Sequence, residues 1–150
     1  MRVFKKIDGT RVDIIKHTLD IIQKEPNVEI HIGTDSQSRA YTTKYAVVIA
    51  YRYGTRGVHY IYSKERVPRI RDKFTRLLKE VEMTIEVAEW FTSKISSIKP
   101  QLDFDFNVDE KHFSQKLVSL AKGWAESLGY KANIKPDNQI ATRAADCQCH

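Results

Sequence analysis

The chain has 150 residues, 41% hydrophobic and 29% charged, with a formal net charge of +6. That size fits one domain around one core, and the apolar content excludes wholesale disorder. No apolar run approaches the ~18 residues of a membrane span, so no membrane partner is expected. Two cysteines exclude a disulfide framework and suit a reducing cytoplasm, and no apolar stretch behind Met1–Lys6 suggests a secretory signal.

In chain order, Val12, Ile14, Ile15, Leu19, Ile21 and Ile22 recur at helical spacing over residues 11–24, and Glu25-Pro26-Asn27 stops that helix. Val28–Ile32 alternates as a strand and runs into the polar Gly33-Thr34-Asp35-Ser36-Gln37-Ser38. Tyr45–Tyr53 reads as a second strand, Gly54-Thr55-Arg56-Gly57 as a hairpin turn, and Val58–Tyr62 as a third strand. A long helix is predicted from Asp72 to about Ser93. Leu102–Val108 alternates as a fourth strand, and Phe113–Leu128 reads as a helix closed by Gly129. Tyr130–Ile134 is a short fifth strand, and a final helix is predicted from Pro136 onward.

Tight turns make the first three strands an antiparallel meander. The later strands alternate with helices, which requires crossovers and parallel pairing. The expected fold class is therefore α/β: a five-stranded mixed sheet flanked by helices, forming a single domain over 1–150 with a helical extension at 1–27.

Three acidic residues stand where strands and turns do not need them. Asp35 closes the first strand, Asp105 sits between Phe104 and Phe106, and Asp146 follows Ala144-Ala145 on the last helix. Strict alternation puts Asp103, Asp105, Asn107 and Asp109 on one strand face, which is also the pattern of a solvated edge. On the long helix, at ~100° per residue, Glu80 falls at the edge of the apolar stripe while Glu82, Glu86 and Glu89 fall on a charged face. Carboxylates gathered from separate elements raise one another's pKa unless a cation neutralises them, and hard oxygen ligands suit Mg²⁺ or Mn²⁺. Two such ions can activate a water for phosphodiester hydrolysis.

Between Arg52 and Lys79 nine Lys/Arg stand against Glu65 and Asp72, a net +7, with Tyr53, Tyr60 and Tyr62 among them. Cations interleaved with aromatics suit a phosphate backbone and base stacking, although a solvated surface gives the same composition. Arg69, Arg71 and Lys73 are the expected footprint. The terminal Cys147-Gln148-Cys149-His150 lacks zinc-ligand spacing, and no serine or cysteine triad is spaced for covalent catalysis.

Ile32-Gly33-Thr34-Asp35-Ser36 at a strand end resembles the first-strand aspartate motif of the ribonuclease H-like superfamily, and the element order is similar over residues 28–150. Gly33–Gln37, Asp105-Phe106-Asn107, Lys135-Pro136-Asp137 with Ala144-Ala145-Asp146, and Arg76–Val81 resemble the YkuK branch, predicted RNase H-related nucleases. The resemblance implies that Asp35, Glu80, Asp105 and Asp146 are catalytic carboxylates holding two Mg²⁺ or Mn²⁺ ions. Glu82, Asp103 and Asp137 are the respective alternatives for the last three. Ser36, Gln37, Asn107 and Lys135 join Arg69, Arg71 and Lys73 as expected nucleic-acid contacts. Sugar kinases and actin-like ATPases share the superfamily fold, but no glycine follows Asp35 closely and the chain is too short for their doubled architecture. The expected activity is metal-dependent hydrolysis of RNA, DNA or a hybrid, leaving a 3′-hydroxyl and a 5′-phosphate. A nucleic-acid-binding module that has lost catalysis is the alternative.

Overall fold

A computed structural model describes residues 2–106, 111–134 and 140–149. The elements are β1 (Phe4–Lys5), β2 (Arg11–Val12), α1 (Ile14–Lys24), β3 (Glu29–Ser38), β4 (Thr42–Arg52), β5 (Val58–Pro68), α2 (Lys73–Lys94), β6 (Gln101–Phe104), α3 (Lys111–Ser127), β7 (Ala132–Ile134) and α4 (Ile140–Cys149). One mixed sheet holds all the described strands in the order β2-β1-β5-β4-β3-β6-β7.

The expected mixed α/β architecture is present, but the sheet has seven strands rather than five. The two additional strands come from the N-terminal extension. Phe4 pairs with Val12 and Lys5 with Arg11, and Lys5 pairs with Tyr62 on β5. Arg11 and Val12 therefore leave the predicted helix, which begins only at Ile14. Asp13 caps it, accepting from the backbone N–H of Ile15 and Lys16 at 3.1 and 3.2 Å.

The meander β3-β4-β5 is antiparallel, and β6 and β7 add in parallel on the far side of β3. Gly54 (φ 60°) and Gly57 (φ 126°) take the left-handed backbone that the β4–β5 hairpin needs. β5 runs six residues past the predicted end at Tyr62, so Lys64 and Arg66 lie on a strand. β6 stops at Phe104, short of the predicted Val108, and lies inside the sheet between β3 and β7.

Alternation along β3 divides the molecule. Ile30 and Ile32 face the main core, built with α1, α2 and α3 around Val81, Ala88, Phe91, Leu102 and Leu117. Fully burying such aliphatic and aromatic side chains contributes about 1.5–3 kcal/mol each. On the opposite face Ala46, Val48 and Ala50 meet Ala145 and Cys149 of α4. These small side chains let α4 approach the sheet closely, and α4 contacts β3, β4 and β5.

Candidate active site

Asp35 lies near the C-terminal end of β3, paired with Ala46 of β4. Its side chain emerges on the α4 face. The Cys149 thiol donates to the Asp35 carbonyl oxygen at 3.3 Å, which pins α4 to this strand. The same packing brings Asp146 against Asp35, and the two carboxyl groups share a hydrogen bond.

Ser36, one residue on, emerges on the other face. Its hydroxyl donates to Oε2 of Glu80 at 2.5 Å. One step earlier on this face, the Thr34 and Thr84 hydroxyls are 2.8 Å apart, and Thr84 donates to the Glu80 carbonyl oxygen. This ladder locks the register of α2 on β3. Glu80 is only 4% exposed, whereas Glu82, Glu86 and Glu89 are solvent-facing, as the helical pitch predicts. Glu82 thus points away from the carboxylates.

Asp105 follows β6. Gly33 pairs with Asp103 in parallel, two residues before Asp35 and Asp105 respectively. Asp105 is exposed and within electrostatic reach of both Asp35 and Glu80. Asp103 has a different environment. It is fully buried and accepts from His31 Nδ1 at 3.0 Å and from Asn133 Nδ2 at 2.9 Å. His31 Nε2 in turn donates to Glu29 Oε1 at 3.0 Å. Asp103 therefore belongs to a polar network joining β3, β6 and β7.

The electrostatics follow from this crowding. Burial pushes the Asp35 carboxyl up to about 7, reinforced by Asp146 and Asp105 and opposed by the Ser36 backbone N–H. Burial, then the charges of Asp35 and Asp105, hold Glu80 well above the usual carboxylate range against the pull of Ser36 and Arg76. Burial, then the charges of Asp35, Glu80 and Asp146, push the Cys149 thiol up to about 12, so it stays protonated. Among the described residues no three His, Cys, Asp or Glu side chains form a ready-made metal cage. The donor chemistry nevertheless fits a hard divalent cation: every acidic donor is oxygen, and burial with neighbouring acids disfavours the charged forms of Asp35 and Glu80.

Of the predicted nucleic-acid contacts, Gln37 is half-buried beyond Asp35 on the same strand, and Arg39 donates to its Oε1 at 3.4 Å. Arg69 and Arg71 are exposed in the segment leading to Lys73, the first residue of α2. Asn107, Lys135 and Asp137 lie outside the described residues. Sequence reasoning counted Arg76 in the basic segment but gave it no role beside Glu80, one helical turn on, which feels its charge; the i, i+4 spacing could have found this.

A strand-end aspartate met by a glutamate from the crossover helix and an aspartate from a following helix defines a class of α/β proteins with an acidic centre at one end of a mixed sheet. A family model described as Ribonuclease H-like matches residues 13–149, and the chain belongs to that family. The match ties the chain to nuclease-related function. No curated protein matches the sequence significantly. Among the described residues no helix is long and apolar enough to cross a membrane.

Proposed function

We propose that the chain is a divalent-metal-dependent nuclease that hydrolyses phosphodiester bonds in nucleic acid. One observation carries this reading: Asp35 on β3, Glu80 on α2, Asp146 on α4 and Asp105 just after β6 converge near the end of β3, where Asp146 and Asp105 act on Asp35, and Asp35 and Asp105 act on Glu80. Bringing like charges together in a half-buried site is costly, and a bound cation removes the cost.

In this reading those four carboxylates would hold two Mg²⁺ or Mn²⁺ ions, with Asp137 as the alternative to Asp146. The ions, when bound, lower the pKa of a water and offset charge on the phosphate. The chain supplies the rest. β3 presents Asp35 on a strand paired with β4, Ser36 orients Glu80, and α4 brings Asp146 to the centre. The products are a 3′-hydroxyl and a 5′-phosphate. The segments around Asp35, Asp105 and Asp146 resemble the YkuK branch of the family, and the low cysteine content favours a cytoplasmic setting.

Asp35→Asn tests the reading. Wild-type protein should cleave RNA, DNA or hybrid oligonucleotides in Mg²⁺ or Mn²⁺, and the variant should lose cleavage at least ~10²-fold while still binding. Wild-type protein that binds all three and cleaves none shows instead a module that has lost catalysis.

A further inference from the structure

The α4 face of the sheet carries a second charged feature beyond α4. Strand pairing puts Tyr62 beside Lys5 and Lys5 beside Arg11, so the three side chains share a face across β5, β1 and β2. Lys64, the next residue on that face of β5, lies opposite Ala46, which pairs with Asp35. Lys64 is thus two strands from Asp35, roughly 10 Å away in backbone terms, and on the same face. One row nearer the end of the sheet, Gln37, Lys44 and Arg66 are aligned in the same way.

This edge is concave. A pocket of about 730 Å³ is lined by Arg2, Lys5, Arg11, Tyr62 and Lys64, together with Glu65 and Glu86. Both glutamates are engaged by Arg2, at 3.6 Å each. Lys5, Arg11 and Lys64 are exposed and form no ion pair among the described residues, in contrast to Arg2, Arg56 and Lys79. Lys64 Nζ stands 5.4 Å from the centroid of the Tyr62 ring, which leaves a half-exposed aromatic surface beside a cation. Cations in excess, an aromatic face and a concave pocket are what the phosphates and bases of a single strand require.

We infer that this sheet-edge pocket is a phosphate-binding subsite of Lys5, Arg11, Lys64 and Tyr62, which anchors a single-stranded nucleic acid several nucleotides from the bond to be cut. The strand then crosses Arg66 and Lys44 to reach Asp35. This rests on the nuclease reading for its purpose and not for its chemistry, because an anchored strand is held whether or not it is cut. It also shifts the main footprint from Arg69, Arg71 and Lys73 to the β5–β1–β2 edge of the sheet. Part of the N-terminal extension, β1 and β2, becomes substrate-binding structure.

The test compares wild-type protein with a Lys5→Glu/Arg11→Glu/Lys64→Glu variant and an Arg69→Glu/Arg71→Glu/Lys73→Glu variant. Labelled oligothymidylate and oligouridylate of about 4 and about 15 nucleotides are titrated by fluorescence anisotropy in EDTA at several salt concentrations. Wild type should bind the longer strands far more tightly. The sheet-edge variant should lose roughly tenfold or more of that gain, with the salt slope reduced by about 2 to 3, while its thermal unfolding stays near wild type. Tyr62→Ala should weaken the long strands with no change in salt slope. Equal binding of long strands by wild type and the sheet-edge variant overturns the subsite, as does loss confined to the Arg69 variant or no wild-type binding at all. Wild-type binding without cleavage in Mg²⁺ leaves the subsite standing and removes the nuclease reading.

Discussion

The carboxyl group of Asp35 on β3 meets that of Asp146 on α4, and a hydrogen bond joins them. Two carboxyl groups can share a hydrogen bond only if one is protonated, and the Asp35 carboxyl is pushed up to about 7.

This gives a pH dependence with a definite sign. An unfolded aspartate ionises near 3.9, so between about pH 4 and pH 7 the native state holds a proton that the unfolded state has released. Without divalent cations, stability should therefore fall as pH rises through that window and stay low above it. Asp35→Asn should be more stable than wild type at pH 8, by about 1–2 kcal/mol after allowance for the half-exposed setting. Millimolar Mg²⁺ or Mn²⁺ should raise the wild-type melting temperature and leave that of the variant nearly unchanged. Melting curves across pH, with EDTA and with metal, check both statements.

Ser36→Ala removes the hydroxyl that orients Glu80. Loss of a hydrogen bond to a carboxylate should reduce cleavage about tenfold, with Glu80→Gln reducing it further. If Ser36 acts through Glu80, Ser36→Ala should change nothing in the Glu80→Gln background; a double-mutant cycle on cleavage rates reads this directly.

His31 lies between Asp103 and Glu29. Burial disfavours its charge, but its bonds to Asp103 and Glu29 more than offset this and raise its pKa. The stabilisation it provides is complete below about pH 6.5 and is lost as pH rises through the higher folded value. His31→Ala leaves Asp103 buried without its cation and should cost about 3–5 kcal/mol. His31→Gln retains a donor and should cost less. Denaturant unfolding and amide exchange in β6 and β7 provide the measurements.

The His17–His59 pair should respond to pH in the opposite direction. Their Nε2 atoms are 2.8 Å apart, so one ring donates to the other and both cannot be charged. Burial lowers both pKa values; for His17 the neighbouring His59 lowers it further, and Lys6 adds to the effect on each. Stability from this pair should be present above about pH 6.5 and fall as the unfolded histidines take up protons below it. Tyr51 stacks on His59, and its hydroxyl is 2.7 Å from that of Thr18 on α1, so α1 should loosen first. Amide exchange at pH 5 and pH 7 in wild type and His59→Gln tests this.

Periodicity made β3, β4, α2 and α3 legible, because each is long enough to show its repeat. It also assigned Glu80 to the inward side of α2. It could not find β1 and β2, which have two residues each and exist only because β5 offers them an edge. Asp103 and Asp105 share a parity, so alternation could not separate a buried partner of His31 from an exposed acid past the strand end. That distinction depends on His31 and Asn133, which are remote in sequence. The His17–His59 contact was invisible for the same reason.

The alternation of β3 sets a limit on how the chain can change. Asp35 and Ser36 point to opposite sides, one toward α4 and the other toward α2. A one-residue deletion between Glu29 and Thr34 that kept the downstream pairing would be harmless to the centre, but one that slid the strand would exchange their faces. The acid would then confront Thr84 and the apolar interior, while a serine met Asp146. What the centre cannot absorb is a shift of register along β3 between Thr34 and Ser36.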